Sequence, residues 1–134
     1  MPFHALSVVE PAGSLIRSAA KTIEVRRWTP DAFPLRDLFI IQNKIRLSSD
    51  IPEDSQGQLV AIVDVVEIRP WLPEDQKDSF STYFEEGWLA WRLGNIREAS
   101  YPHMIPAKLR IYDIQIDESL LITRSTEQGA AANP

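Results

Sequence analysis

The stretch that decides the fold is residues 21–28, Lys-Thr-Ile-Glu-Val-Arg-Arg-Trp, where the pattern of the sequence changes from helical to extended. With a period of two, Ile23 and Val25 lie on one face of a strand, and Glu24 and Arg26 lie on the other. Charged side chains are rarely buried unless they are paired. We therefore interpret this stretch as a strand whose charged face contributes to a polar cleft.

The residues before this strand predict a short helix. Pro11 suits the first turn of a helix, where its missing N–H would have no partner anyway. The apolar face of the helix consists of Leu15, Ile16, Ala19 and Ala20. The sequence thus places Lys21 at a junction between a helix and a strand.

Strand patterns continue through the rest of the chain. Residues 58–68 are apolar on both faces, which is typical of a central strand that is covered on each side. Further strands are expected at residues 5–9, 38–41, 88–93 and 109–116, the last with a bulge near Tyr112-Asp113. A second helix is expected over residues 73–86, and residues 48–57 and 94–106 are expected to form irregular connections. Several strands with two short helices correspond to an α+β fold.

Length and composition indicate one globular domain. The chain has 134 residues, of which 44% are hydrophobic and 25% are charged. We assign residues 1–117 to the domain. Residues 118–134 are expected to be a flexible C-terminal tail, because the core signals weaken after Asp117 and the last residues are small and polar.

Charge is distributed unevenly along the chain. The net charge of −5 argues against a protein that coats nucleic acid non-specifically, since that mode of binding needs a basic surface. Residues 17–46, however, contain seven basic and three acidic residues, a net charge of +4. These charges either form a local anion site or point to different sides of the fold, and the sequence leaves both alternatives open.

Several classes of site and location are disfavoured. The absence of cysteine excludes disulfides, thiolate catalysis and thiolate zinc sites, and the two histidines stand in no metal-binding motif. No glycine-rich phosphate loop is present, so no cofactor and no metal are expected. The N-terminus lacks the features of a signal peptide and no apolar run reaches membrane-spanning length, which predicts a soluble cytoplasmic protein without a membrane partner.

Two carboxylates interrupt the central strand. Asp64 lies near its middle and is expected to be a structural hydrogen-bond acceptor, whereas Glu67 lies near its end and could face a cleft. A lysine beside two glutamates could bind an anion, form a structural ion-pair network or supply a shifted pKa for acid-base catalysis. The four tryptophans could stack on bases, although large aromatic side chains usually belong to the core; Trp28 is the strongest candidate for exposure.

The order of these motifs resembles the ASCH domain family. Residues 21–28 resemble its K-T-x-E-x-R motif, and residues 39–44 and 61–67 resemble its polar-ended strand and its long central strand. Residues 91–97 with 105–108 resemble its closing W-x-L-x-N and P-x-K pattern. The resemblance covers residues 5 to about 116.

The resemblance implies a PUA-like fold, a curved mixed β-barrel of about five to six strands with two short helices. It also implies RNA binding in the cleft that the K-T-x-E-x-R motif lines. The ligand-binding residues expected on this basis are Lys21, Glu24, Arg26, Arg27, Trp28, Asn43 and Lys44.

Some members of the family are enzymes, and the resemblance therefore implies an alternative. One branch hydrolyses N4-acetylcytidine with a lysine, a threonine three residues later and a glutamate on the central strand, and another member is described as a ribonuclease. Lys21 and Glu67 match two of these positions, but Glu24 stands where that branch has threonine. The candidate catalytic residues are Lys21, Glu24 and Glu67.

We therefore expect a cytoplasmic ASCH protein that binds single-stranded RNA or a small nucleotide-like molecule. The alternative is a hydrolase that acts on a modified nucleoside, or a ribonuclease that acts on single-stranded RNA. A third interpretation is a protein-interaction module with an inert cleft. The oligomeric state is left open by the sequence.

Overall fold

A computed structural model describes residues 3–125 of the chain. Their strands are β1 (Phe3–Val9), β2 (Ile23–Arg26), β3 (Leu35–Asn43), β4 (Glu53–Asp54), β5 (Gln58–Pro70), β6 (Leu89–Ser100), β7 (Ala107–Lys108), β8 (Ile111–Ile114) and β9 (Ile122–Ser125). The helices are α1 (Ala12–Arg17) and α2 (Gln76–Ser79), and 3₁₀ turns occur at Pro73–Asp75 and Glu118–Leu120. The mixture of many strands and two short helices confirms the expected α+β class.

The main sheet is mixed and curled into a half-barrel. Its strands lie in the order β2-β6-β5-β3-β1-β8, β9 also pairs with β6, and β4 and β7 form a separate pair. β1 and β3 are parallel, and the other pairs are antiparallel. β5 lies between β3 and β6, which confirms that residues 58–68 belong to a central strand.

Both faces of β5 are covered from Leu59 to Val65. Val63 and Val65 belong to one hydrophobic cluster, and Leu59 and Ile62 belong to another on the opposite face. This arrangement explains the apolar character of residues 59–65, because neither face meets water there. The expectation of two covered faces is wrong for the end of the strand, where Val66 is 41% exposed. β5 therefore forms the rigid centre from which the shorter strands and their polar ends are positioned.

Helix α1 lies directly on the sheet. A Cβ atom added at Gly13 would lie 2.8 Å from Gln42 Oε1 and 2.9 Å from Val60 Cγ2, so a larger residue would force the helix away from the sheet. Ile16 is completely buried on the helix face that packs on this core. This packing fixes the point at which the chain leaves α1 and enters β2.

The expected helix over residues 73–86 is wrong. Only a 3₁₀ turn and the four-residue α2 form, and Phe80 then adopts a left-handed conformation with φ 56°. The helix ends there because its last carbonyl groups accept hydrogen bonds from another segment of the chain. The N–H of Thr22 donates to the carbonyl of Asp78, and the ammonium group of Lys21 donates to the carbonyl of Ser79. The aromatic residues after α2 instead pack as a loop around Trp71.

Three expected boundaries also differ. β6 continues to Ser100 through a segment that was expected to be irregular. The bulge expected near Tyr112-Asp113 is not present in β8; the alternation of buried and exposed side chains changes instead at residues 109–110, between β7 and β8. Residues 118–125, expected as part of a flexible tail, form a 3₁₀ turn and the strand β9. The rest of that expectation, residues 126–134, lies outside the described residues.

Candidate functional site

The site begins where α1 ends. The N–H groups of Ala20 and Lys21 both donate to the carbonyl of Leu15, at 3.0 Å each, and the N–H of Ala19 donates to Ile16. Ala19 has a φ of 63°, so the chain closes the helix in the left-handed manner that usually requires glycine. This turn delivers Lys21 into the interior, where it is only 6% exposed.

Lys21, Glu24 and Arg26 form a buried ion-pair cluster. Glu24 Oε1 lies 3.2 Å from Lys21 Nζ, and Glu24 Oε2 accepts hydrogen bonds from Arg26 Nε at 3.0 Å and Nη2 at 2.6 Å. Burial by itself would raise the pKa of Glu24, but the positive charges of Arg26 and Lys21 and their hydrogen bonds outweigh it and hold that pKa below its usual value. Both oxygens of the carboxylate are therefore engaged, and the cluster keeps one net positive charge.

The ammonium group of Lys21 is also fixed from the opposite side. It donates to the carbonyl of Ser79 at 2.6 Å, and Ser79 Oγ donates in turn to the carbonyl of Asp75 at 2.8 Å. Asp75 receives a two-fold hydrogen bond from Arg69, which lowers the pKa of Asp75 and raises that of Arg69. This chain of contacts anchors α2 to the sheet and sets the position of Lys21.

The cluster lies in the wall of a cleft with a volume of about 570 Å³. This volume is within the range of about 300 to 1,000 Å³ that is usual for small-molecule sites. Six basic and two acidic residues line the cleft, so its net charge is +4 although the whole chain carries −5. The lining charged residues are Glu10, Lys21, Glu24, Arg26, Arg27, Arg46, Lys108 and Arg110.

Three of these cations have no carboxylate partner. Within the described part of the chain, Arg27, Arg46 and Arg110 form no ion pair, and all three are exposed. Arg27 lies over the ring of Trp88 at 5.7 Å and Arg110 over the ring of Trp28 at 4.3 Å, as in cation–π contacts. Unpaired guanidinium groups beside aromatic rings are suited to an anionic ligand that also has a flat group.

The tryptophans divide into two classes. Trp91 and Trp71 are 0% and 2% exposed and belong to the core. Trp28 and Trp88 are half-buried and line the cleft, together with Tyr83, which is 53% exposed. Trp28 is held in place because its ring packs edge-on against Trp91 at 4.9 Å and its carbonyl accepts a hydrogen bond from the Trp91 indole.

Most of the residues expected at the site come together. Lys21, Glu24, Arg26, Arg27, Trp28 and Asn43 all line the cleft. Asn43 is 2% exposed, and its Nδ2 donates to the Ile45 carbonyl at 2.6 Å and to Asp54 at 3.1 Å. Its position at the end of β3 therefore joins the cleft wall to the small β4 strand.

Two expected residues lie elsewhere. Lys44 is exposed and is not part of the cleft lining. Glu67 is 3.0 Å from Arg92 and 3.6 Å from Arg69 and does not line the cleft, so the structure does not bring it to Lys21. A bulge between Val65 and Glu67 changes the register of β5 against β6 at this point and turns the Glu67 side chain toward Arg92.

Sequence reasoning did not select several residues that line the cleft. Lys108 belongs to the P-x-K pattern and Arg46 to the basic segment, so both had a signal that could have identified them. Tyr83 was assigned to a helix that does not form. Arg110 had no signal, because its position depends on the left-handed turn between β7 and β8, where its φ is 59°.

Asp64 is a structural hydrogen-bond acceptor, as expected. It is 6% exposed and accepts hydrogen bonds from the Asp37 N–H at 3.0 Å, Arg97 at 3.0 Å and Asn95 at 3.2 Å. Asp64 does not line the cleft. Among residues 3–125, no group of three or more potential ligands could hold a metal ion, and no helix is long and apolar enough to cross a membrane.

Comparison with known proteins identifies the family. Residues 6–122 match the family model of the ASCH domain. Among curated proteins, no sequence matches this chain. The similar solved structures include an ASCH protein from Zymomonas mobilis, which has 14% identity and a TM-score of 0.47 and covers 87% of this chain and 90% of its own.

A second similar structure is a tyrosine-to-phenylalanine mutant of the ASCH protein of Zymomonas mobilis. It also has 14% identity and a TM-score of 0.47, and it covers 97% of this chain and 96% of its own. The sheet of this chain is curled and mixed and is accompanied by a few short helices, as was expected. Because the family model spans nearly all of the described residues, the chain belongs to the ASCH domain family.

Proposed function

We propose that the cleft binds single-stranded RNA or a small nucleotide-like ligand. The observation that carries this proposal is the presence of Trp28 and Trp88 in one cleft with three guanidinium groups that form no ion pair among the described residues, those of Arg27, Arg46 and Arg110. Guanidinium groups bind phosphate oxygens in a two-fold geometry, and aromatic rings stack on unpaired bases. A nucleotide carries both of these groups.

The ion-pair cluster acts in this proposal as a preformed part of the wall. Glu24 holds Lys21 and Arg26 in fixed positions, so the remaining positive charge can meet a phosphate without rearrangement. The chain outside the cleft is strongly acidic, since the net charge is −5 while the cleft carries +4. An acidic surround repels a long duplex and favours a short or single-stranded ligand.

The proposal is tested with two cations that are close in sequence. Arg46 lines the cleft and Lys44 does not, although both are exposed. Binding of a fluorescently labelled single-stranded RNA is measured by anisotropy over a series of salt concentrations, with Arg46→Gln and Lys44→Gln. Arg46→Gln should weaken binding and reduce the slope of log affinity against log salt by about 0.7, the value for one phosphate contact on a single strand.

Lys44→Gln is the matched control and should bind like the wild type. Equal losses in the two variants would mean that binding is a diffuse surface effect and not a property of the cleft. If no RNA or mononucleotide binds even at low salt, the proposed function fails.

Hydrolysis of a modified nucleoside or of RNA, the alternative from the sequence, has no observation of this kind in its favour. Glu67 pairs with Arg92 outside the cleft, and both oxygens of Glu24 are engaged by cations. We expect RNA and acylated nucleosides to be recovered intact after incubation with the protein. If the wild type hydrolyses one of these compounds and Lys21→Ala does not, the function is catalysis and not binding alone. A cytoplasmic location stays a prediction from the sequence.

A further inference from the structure

A second, smaller cavity adjoins the cleft. Its volume is about 230 Å³, and Trp28 and Arg110 line both spaces. This volume is below the lower limit of about 300 Å³ that is usual for a complete ligand site. The small cavity is therefore large enough for a part of a ligand whose remainder lies in the cleft.

The shared boundary is a rigid ring with a cation on it. Trp28 is fixed by its edge-on contact with Trp91, and the Arg110 guanidinium lies 4.3 Å from the centre of the Trp28 ring. Arg110 has no carboxylate partner among the described residues and is exposed. A cation at the junction of two cavities is placed to contact an anionic group that connects two parts of one ligand.

The two cavities differ in chemistry. The cleft is strongly basic, whereas the small cavity contains the carboxylates of Asp31 and Asp113 as well as the apolar side chains of Leu35 and Ile111. Asp113 is paired with His4 Nδ1 at 2.8 Å. Carboxylates repel phosphate but accept hydrogen bonds from amino groups of bases and from ribose hydroxyls.

We infer that the cleft and the small cavity are consecutive subsites for two neighbouring nucleotides of a single-stranded RNA. In this arrangement Arg110 binds the phosphodiester between them, and the small cavity holds the second nucleoside against Trp28. The inference rests on the proposed function and makes it more specific, because a ligand of one nucleotide leaves the small cavity empty.

The test compares ligands that contain the same phosphates. Calorimetry measures the affinity of a 5′-phosphorylated dinucleotide, of two matched dinucleotides that lack either the first or the second base, and of the nucleoside 3′,5′-bisphosphate, which is the mononucleotide with both phosphates of the dinucleotide. We expect the dinucleotide to bind roughly tenfold more tightly than the mononucleotide, since contacts to one additional base have about this effect. Removal of one of the two bases, the one in the small cavity, should abolish this gain.

Two variants separate the subsites. Ala32 lies in the lining of the small cavity, so Ala32→Trp should fill it, remove the tenfold gain and leave mononucleotide affinity unchanged. Phe33→Trp, at an adjacent exposed residue outside this lining, is the control and should retain the gain. Arg110→Gln should weaken the dinucleotide more than a nucleoside 5′-monophosphate, which lacks the connecting phosphate.

The possible failures are distinct. Equal affinities of the mononucleotide and the dinucleotide for the wild type would overturn the two-subsite inference and leave the proposed function intact. A tenfold gain that persists in Ala32→Trp would also overturn it, because the second base would then lie elsewhere. If neither ligand binds, the proposed function itself fails.

Discussion

Two buried carboxylates, Glu24 and Asp64, look alike by burial and by charge. They are 8% and 6% exposed, and each is held by an arginine at a distance of 3.0 Å or less. Their surroundings differ. Glu24 pairs with two cations in the wall of a large basic cleft. Asp64 accepts a hydrogen bond from the N–H of Asp37 and lines neither the cleft nor the small cavity beside it.

The two carboxylates differ in the role of the residues that they contact. Asp64 contacts Asp37 and Asn95, two residues with positive φ angles of 55° and 47°, and so holds the local backbone of β3 and β6. The pairing of β3 with β5 and the pairing of β5 with β6 each have a register shift beside these contacts. The Glu24 cluster shares its cleft with cations that have no carboxylate partner among the described residues, and the proposed binding rests on this difference from Asp64.

The largest expected effect comes from removing the carboxylate of the cleft. Glu24→Ala leaves Lys21 buried and, together with Arg26, without a counter-charge. We expect the free energy of unfolding to fall by about 3 kcal/mol, because an unpaired buried charge is not solvated. Urea unfolding followed by circular dichroism measures this loss.

Lys21→Met in the same background is the control for this explanation. It removes the buried cation that has lost its partner and should recover part of the stability lost in Glu24→Ala. If the double variant is no more stable than Glu24→Ala, the loss arises from packing and not from the unpaired charge.

The matched change in the other region is Asp64→Asn. An amide replaces one carboxylate oxygen by a donor, so at least one of the contacts from Arg97, Asn95 and the Asp37 N–H is lost. We expect a loss of about 2 kcal/mol in urea unfolding, the usual value for hydrogen bonds to a charged group. RNA affinity of the folded variant should equal that of the wild type, and a loss of affinity would remove the functional contrast between the two carboxylates.

The pH dependence of stability tests the charge of Glu24 directly. Its pKa is lower in the folded protein than the reference value of 4.5, so its contribution is complete above pH 4.5 and is lost as the pH falls through the folded pKa. One proton changes the free energy of unfolding by at most about 1.4 kcal/mol per pH unit. Between pH 4.5 and lower values, Glu24→Gln should show a shallower slope than the wild type in urea titrations, and an unchanged slope would contradict the assignment.

The sequence predicted the parts of this contrast that depend on local periodicity. Alternation along one strand placed Glu24 with Arg26, and the apolar environment of residues 58–68 marked Asp64 as a hydrogen-bond acceptor. The same alternation, applied at the end of β3, would have directed Lys44 away from the cleft once Asn43 pointed into it.

The remaining parts depend on features that a single sequence does not display. Glu67 is directed away from Lys21 by a bulge in β5 against β6, and a bulge adds one residue without a clear sequence signal. The spacing of the aromatic residues after Pro73 fits a helix. The helix nevertheless ends early, because the carbonyls of Asp78 and Ser79 accept hydrogen bonds from Thr22 and Lys21, more than 50 residues earlier in the chain. Arg110 reaches the cleft through a long-range pairing of β8 with β1.

The smallest expected effect concerns the backbone that supports each carboxylate. Ala19, before the Glu24 cluster, and Asn95, beside Asp64, have positive φ angles of 63° and 47°. Alanine is strained in this conformation, so Ala19→Gly should raise the free energy of unfolding by about 0.5 to 1 kcal/mol and leave RNA binding unchanged. Asparagine tolerates the conformation and donates to Asp64 at 3.2 Å, so Asn95→Gly should instead lower stability by about 0.5 kcal/mol. Thermal unfolding of both variants measures the difference, and equal gains would mean that the Asn95 side chain contributes nothing to the Asp64 network.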